Sequence, residues 1–212
     1  MKAHLNPFAP DRIQRRLPFD PTLSGTTWEA IESRWEKLSR RAAVRGHHGS
    51  GKTTFLDAFA QRLQPRFRVE RLFLHRDSRQ LDQEQRQLLE SIRGQQDVIL
   101  FVDGEGHLAG SERKALRKLS LTLGGYLAAR HHLSRLPTLL HLKSDPLLAQ
   151  TLLEKIEPAA SRELHESLPA IFRKKNGNLR ELWLSLYDNY ANETDHDRAS
   201  SAQPPESQRA RS

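Results

Sequence analysis

Cysteine is absent from all 212 residues. That excludes a disulfide framework, a thiolate metal site and a cysteine nucleophile. Long apolar runs are absent too: the densest, Val98-Ile-Leu-Phe-Val102, has the length of a strand and falls far short of the ~20 residues a membrane helix needs. The first eight residues hold no apolar core, so the sequence predicts no secretory signal and a cytoplasmic location. Charge of one sign is scarce relative to the other. Lysine and arginine number 34 against 26 acids, a net charge of +8. The excess permits a nucleic-acid or other polyanionic partner. The basic residues are nonetheless spread along the chain, in runs of no more than three.

What is present falls into periodic blocks. Pro7, Pro10, Pro18 and Pro21 break up the first 25 residues and predict an extended arm rather than a long helix. From Thr26 the pattern turns helical, with Trp28, Ile31, Trp35 and Leu38 on one stripe and Thr26 and Glu29 at capping-box spacing. Strand candidates at 42–45, 67–74, 97–102, 126–129 and 137–142 then alternate with helical patterns, one of them opened by Ser111. Buried-type strands alternating with helices predict an α/β fold, a parallel sheet with helices on both faces. After Ser144 only helical periodicity remains. Its cleanest stretch, Leu179, Leu182, Trp183, Leu186, Tyr187 and Tyr190, follows a stop at Gly177 and a cap at Asn178. The expected organisation is an arm and first helix over 1–40, an α/β core over 41–144, a helical subdomain over 145–191 and a disordered tail over 192–212.

The stretch Gly46-His47-His48-Gly49-Ser50-Gly51-Lys52-Thr53, with Thr54 after it, fills every fixed position of G-x-x-x-x-G-K-[ST]. Such a loop turns its backbone N–H groups inward around phosphates, which needs glycines where a Cβ would intrude. Lys52 reaches the terminal phosphates, the Thr53 hydroxyl is placed for Mg²⁺, and the following helix aims its positive end at the same anion. By residue usage a chance match in a chain this long is on the order of one in a hundred. A metal site of this kind needs an acid at a neighbouring strand end, and Asp103 follows five apolar residues. Glu105 is the nearest group to polarise an attacking water, with His107 beside it.

The loop, the strand ending in Asp103 and the alternation resemble P-loop ATPases of the AAA+ and NACHT-like groups. Val102-Asp-Gly-Glu-Gly-His-Leu108 is similar to the NACHT-type second motif but carries one acid where that pattern tends to have two. Gly177-Asn-Leu-Arg-Glu181 resembles the start of a lid helix in which the arginine, here Arg180, contacts the γ-phosphate. Asn6-Pro-Phe8 resembles the N-terminal arm of secretion- and transposition-type ATPases. The resemblance covers roughly residues 6–190 and implies an ATP- and Mg²⁺-dependent switch or motor with Lys52, Glu105 and Arg180 in catalytic roles. Arg130 is a candidate finger for a neighbouring subunit, and Arg113, Lys114, Arg117 and Lys118 form a basic helix face suited to nucleic acid. Two alternatives stay open. In a GTPase, Asp103-Gly-Glu-Gly106 would serve as D-x-x-G, although Leu142 stands where a guanine-binding Asn is needed. A small-molecule kinase would need a second pocket, which the sequence does not show.

Overall fold

A computed structural model describes residues 6–75, 77–132 and 135–201, with side chains to 192. Five strands form one parallel sheet in the order β2-β3-β4-β1-β5: β1 (Arg41–Gly46), β2 (Arg68–Phe73), β3 (Val98–Asp103), β4 (Gly125–Arg130) and β5 (Thr138–Leu142). The period-two alternation of strand side chains divides the core in two. Ala42, Val44, Ile99, Phe101, Leu127 and Ala129 face α2 (Trp28–Lys37) and α3 (Lys52–Leu63), where Trp35, Phe55 and Phe59 pack. Val98, Leu100, Val102, Tyr126 and Ala128 face the other way, toward α4 (Gln83–Ser91) and α5 (Gly110–Ser120). Arg41 lays its guanidinium over the backbone carbonyls of Ser120, Leu121 and Leu123, satisfying the C-terminal end of α5.

A third apolar cluster gathers α6 (Pro146–Ile156), α7 (Arg162–Lys174) and α8 (Leu179–Ser201). The N-terminal segment straps across it. Phe8 stacks on Trp183 with ring centroids 6.5 Å apart and meets Tyr190 edge-on at 6.4 Å. Asn6 donates to the Tyr187 carbonyl at 2.9 Å, and Arg16 bonds the Ile156 carbonyl.

Several local expectations shift. The arm is not wholly extended: Pro10 opens a two-turn helix, α1 (Pro10–Arg16), because a proline at the first helical position loses no needed hydrogen bond. Thr27, not Thr26, caps α2, its hydroxyl accepting from the Ala30 amide at 3.2 Å. Helix α5 begins at Gly110 after Ala109, so Ser111 is inside the helix rather than capping it. Past Asn192, where a disordered tail is expected, α8 runs on to Ser201. No proline interrupts the chain before Pro204, and extending an existing helix is far easier than starting one. The remainder of that expected tail, 202–212, lies outside the described residues.

Candidate functional site

The phosphate-type loop joins the end of β1 to the start of α3, at the carboxyl edge of the sheet. That edge is where parallel α/β sheets bind ligands. Gly49 shows why the loop tolerates nothing larger. Its φ is +70°, and a Cβ built there would lie 1.8 Å from the Asn178 side-chain oxygen and 3.1 Å from the Arg180 backbone nitrogen. The start of α8 is thus pressed against the loop, and the Ser144 hydroxyl ties the turn before it to β5 by donating to the Gly177 carbonyl at 2.7 Å. Asn178 accepts from the Glu181 amide at 3.2 Å, the expected cap. The Arg180 side chain is exposed at this first turn.

Lys52 is buried, and its ammonium donates to the carbonyls of Gly46 at 2.9 Å and His47 at 2.7 Å. Its Nζ also lies 3.4 Å from His131 Nδ1. Burial pushes the Lys52 pKa below the usual lysine value, against the opposing pull of Asp103. Next in sequence, the Thr53 hydroxyl donates to Asp103 Oδ2 at 2.8 Å. Two residues fifty positions apart therefore meet at the edge. Ser50 is buried in the loop, Gly51 precedes α3 with φ +87°, and His47, His48 and Thr54 are exposed.

Beyond Asp103 the expectation and the structure part. Gly104 has φ +88°, and a Cβ there would fall 2.3 Å from the Leu74 carbonyl oxygen, so no acid can stand directly after Asp103 in this backbone. Glu105 is 0% exposed and turns inward, under the sheet edge. Its Oε1 pairs with Arg117 Nε at 2.8 Å and its Oε2 with the Arg130 guanidinium at 2.6 Å. Tyr126 lies in the same pocket, and its phenol pKa is raised well above the usual value, first by burial and then by the Glu105 charge. The structure does not bring Glu105 to the cleft beside the glycine-bearing loop, because two arginines hold it in the core. For the same reason Arg130, 11% exposed and ion-paired to Glu105, is not available as a finger for another subunit. Arg117 is likewise drawn off the basic face of α5. Tyr126 and Arg130 stand four apart on β4 and so share a face, but no local pattern announces the Glu105 to which they point.

His131 follows β4 directly. Its ring stacks on His48, centroids 3.8 Å apart. Its pKa is lowered to about 4, by burial first, then by the charge of Lys52 and by His48 and His107, while hydrogen bonding to the Gly46 backbone pulls the other way.

No family profile and no curated protein matches the chain. Solved structures do. Cdc6p from Pyrobaculum aerophilum is similar over 90% of this chain and 66% of its own, with 15% identity and a TM-score of 0.59. A mutant of Thermotoga maritima RuvB is similar over 89% of this chain and 64% of its own, with 13% identity and a TM-score of 0.54. Both are AAA+ P-loop NTPases, and this chain has the fold they share. It spans about two thirds of the length of each. No helix among the described residues is long and apolar enough to cross a membrane.

Proposed function

We propose that the chain binds ATP with Mg²⁺ and acts as a slowly hydrolysing switch module, with α6, α7 and α8 as its lid. One observation carries the reading: Lys52 and the Thr53–Asp103 hydrogen bond converge beside a glycine-bearing loop at the carboxyl edge of a parallel sheet. Those donors fit an anion, and the hydroxyl–carboxylate pair fits a hard divalent cation. Thr53 and Asp103 would hold Mg²⁺, and the chemistry it supplies is charge neutralisation at the terminal phosphates. The amides of residues 46–54 would line the phosphates, and Lys52 would exchange its two carbonyl partners for phosphate oxygens. Arg180, at the helix start touching the loop, is placed to distinguish ATP from ADP.

Slow turnover follows from the acids. Asp103 is engaged with Thr53, position 104 cannot carry a side chain, and Glu105 is sequestered. A chain so built holds ATP longer than it consumes it, which suits a switch whose hydrolysis is completed by a protein partner or a second copy of itself. A GTPase is disfavoured by Leu142 at the base-recognition position, and by the lack of room for a helix in residues 131–137, which join β4 to β5. Among the described residues, no second substrate pocket adjoins the loop as the small-molecule kinase reading would need. The remaining basic residues of α5, Arg113, Lys114 and Lys118, leave a nucleic-acid contact as a secondary proposal.

The test is thermal stabilisation by ATP, GTP and ADP with and without Mg²⁺, in wild type and Lys52→Ala. ATP at a hundredfold excess over its Kd should stabilise the wild type by about 2.7 kcal/mol, and the folded variant should show no shift. An equal ATP shift in the variant refutes the site.

A further inference from the structure

Around the loop the carboxyl edge of the sheet is crowded with imidazoles: His47 and His48 after β1, His107 after β3 and His131 and His132 after β4. They are not arranged as a metal cage, and no group of three such ligands occurs among the described residues. Two of them are organised. His131 stacks on His48 and presents Nδ1 to the Lys52 ammonium at 3.4 Å. A lysine ammonium has only protons to offer, so a hydrogen bond between the two uses the Nδ1 lone pair. A proton on Nδ1 would face that ammonium, and the cations around the ring disfavour its charged form as well. Lys52 on α3, His48 in the loop and His107 after β3 are all cations or potential cations facing it. Among the described residues, hydrogen bonding to the Gly46 backbone favours its charged form, and Asp103 at this edge is engaged with Thr53.

Resting on the nucleotide-binding reading above, we propose that the His48–His131 pair is a proton-taking part of the phosphate site, binding a proton at His131 Nδ1 when a nucleoside triphosphate binds. The physics is a reversal of sign. Before binding, a proton on Nδ1 would point at a cation 3.4 Å away. When phosphate oxygens draw Lys52 away from Nδ1, the repulsion becomes attraction to a polyanion, and the imidazolium becomes a further cation of the cradle. Nucleotide affinity is then linked to pH, rising as pH falls toward the ordinary histidine value. The direction is opposite to that of the protein alone. There the folded state binds a proton at about 4 and an ordinary histidine at 6.5. Acid therefore favours unfolding across that window.

Titration calorimetry of the full chain with Mg²⁺ and the imido analogue of ATP, at pH 6 and pH 8, tests this. Two buffers of contrasting ionisation enthalpy count the protons taken up. Comparison with His131→Gln subtracts the ligand's own titration. If binding restores His131 to its ordinary value, the wild type should take up about 0.7 proton more than the variant at pH 6 and almost none more at pH 8. Its affinity should rise about fourfold more than the variant's between pH 8 and pH 6. Equal proton counts and equal affinity ratios overturn the proposal while leaving nucleotide binding intact. No binding heat in either protein overturns the nucleotide reading, and this proposal with it. If the variant fails to fold, the wild-type His131 Cε1–H resonance decides: its titration midpoint must move up on adding nucleotide, and an unmoved midpoint overturns the proposal.

Discussion

Gly104 and Glu105 show how one backbone angle can redirect a functional group. With φ at +88° and the Leu74 carbonyl where a side chain would begin, residue 104 serves the turn. The acid is displaced to 105, where it points into the core and meets Arg117 and Arg130. Removing one partner of a buried ion pair leaves the other charge desolvated and unpaired, at a cost of roughly 3–5 kcal/mol. Arg117, 30% exposed, keeps some access to water, which places Glu105→Gln at the low end. The expected result is a loss of about 3 kcal/mol, or roughly 6–12 °C in melting temperature for a chain of this size. Turnover per folded molecule should hold near the wild-type rate, measured as phosphate release at a temperature where the variant remains folded. A variant with unchanged melting and abolished turnover would return Glu105 to the role of water-polarising group.

Elements here are specified locally but placed by distant contacts. The stripe of α8 reads from sequence as Leu179, Leu182, Trp183, Leu186, Tyr187 and Tyr190, and the bundle buries it. The sequence does not say that Phe8 supplies part of the cover, since a lone aromatic between prolines carries no period. Phe8 is 3% exposed and closes the bundle against Trp183 and Tyr190. Truncating a buried phenylalanine costs about 3–5 kcal/mol. Phe8→Ala should therefore lower the denaturant midpoint, with the fluorescence of Trp183 changing in the same transition. A midpoint equal to wild type would mean that the arm does not hold the bundle. Cap positions also depend on context. Thr26 and Thr27 look alike in sequence, and the backbone entering α2 selects the second.

At the scale of the molecule, the bundle and the sheet meet where α8 begins. Asn178 and the Arg180 backbone press on Gly49, and Ser144 bonds the turn before them. A cation in a helix's first turn opposes the macrodipole, at a few tenths of a kcal/mol. Losing the Arg180 side chain, which is exposed, should therefore leave stability unchanged or slightly raised. Its proposed work lies between the two parts of the chain, so Arg180→Ala should weaken ATP several-fold more than ADP. Competition binding of both nucleotides measures this, and an unchanged ATP-to-ADP ratio would remove Arg180 from the site.

The parts of the protein written in short-range order could be read directly. The spacing of Gly46, Gly49, Gly51, Lys52 and Thr53, the strand ending in Asp103 and the alternation of periods 2 and 3.6 each depend on residues within a few positions of one another. Backbone geometry turns such spacings into a loop, a strand or a helix face. Which strand lies beside which, and so which side chains meet at the sheet edge, depends on pairings between segments 26 to 96 residues apart. Only the folded chain therefore brings His131 to Lys52, draws Glu105 between Arg117 and Arg130, and seats the start of α8 on Gly49. Those contacts are made by side chains whose own neighbourhoods in sequence are indistinguishable from an exposed loop, a solvated helix face and an ordinary cap.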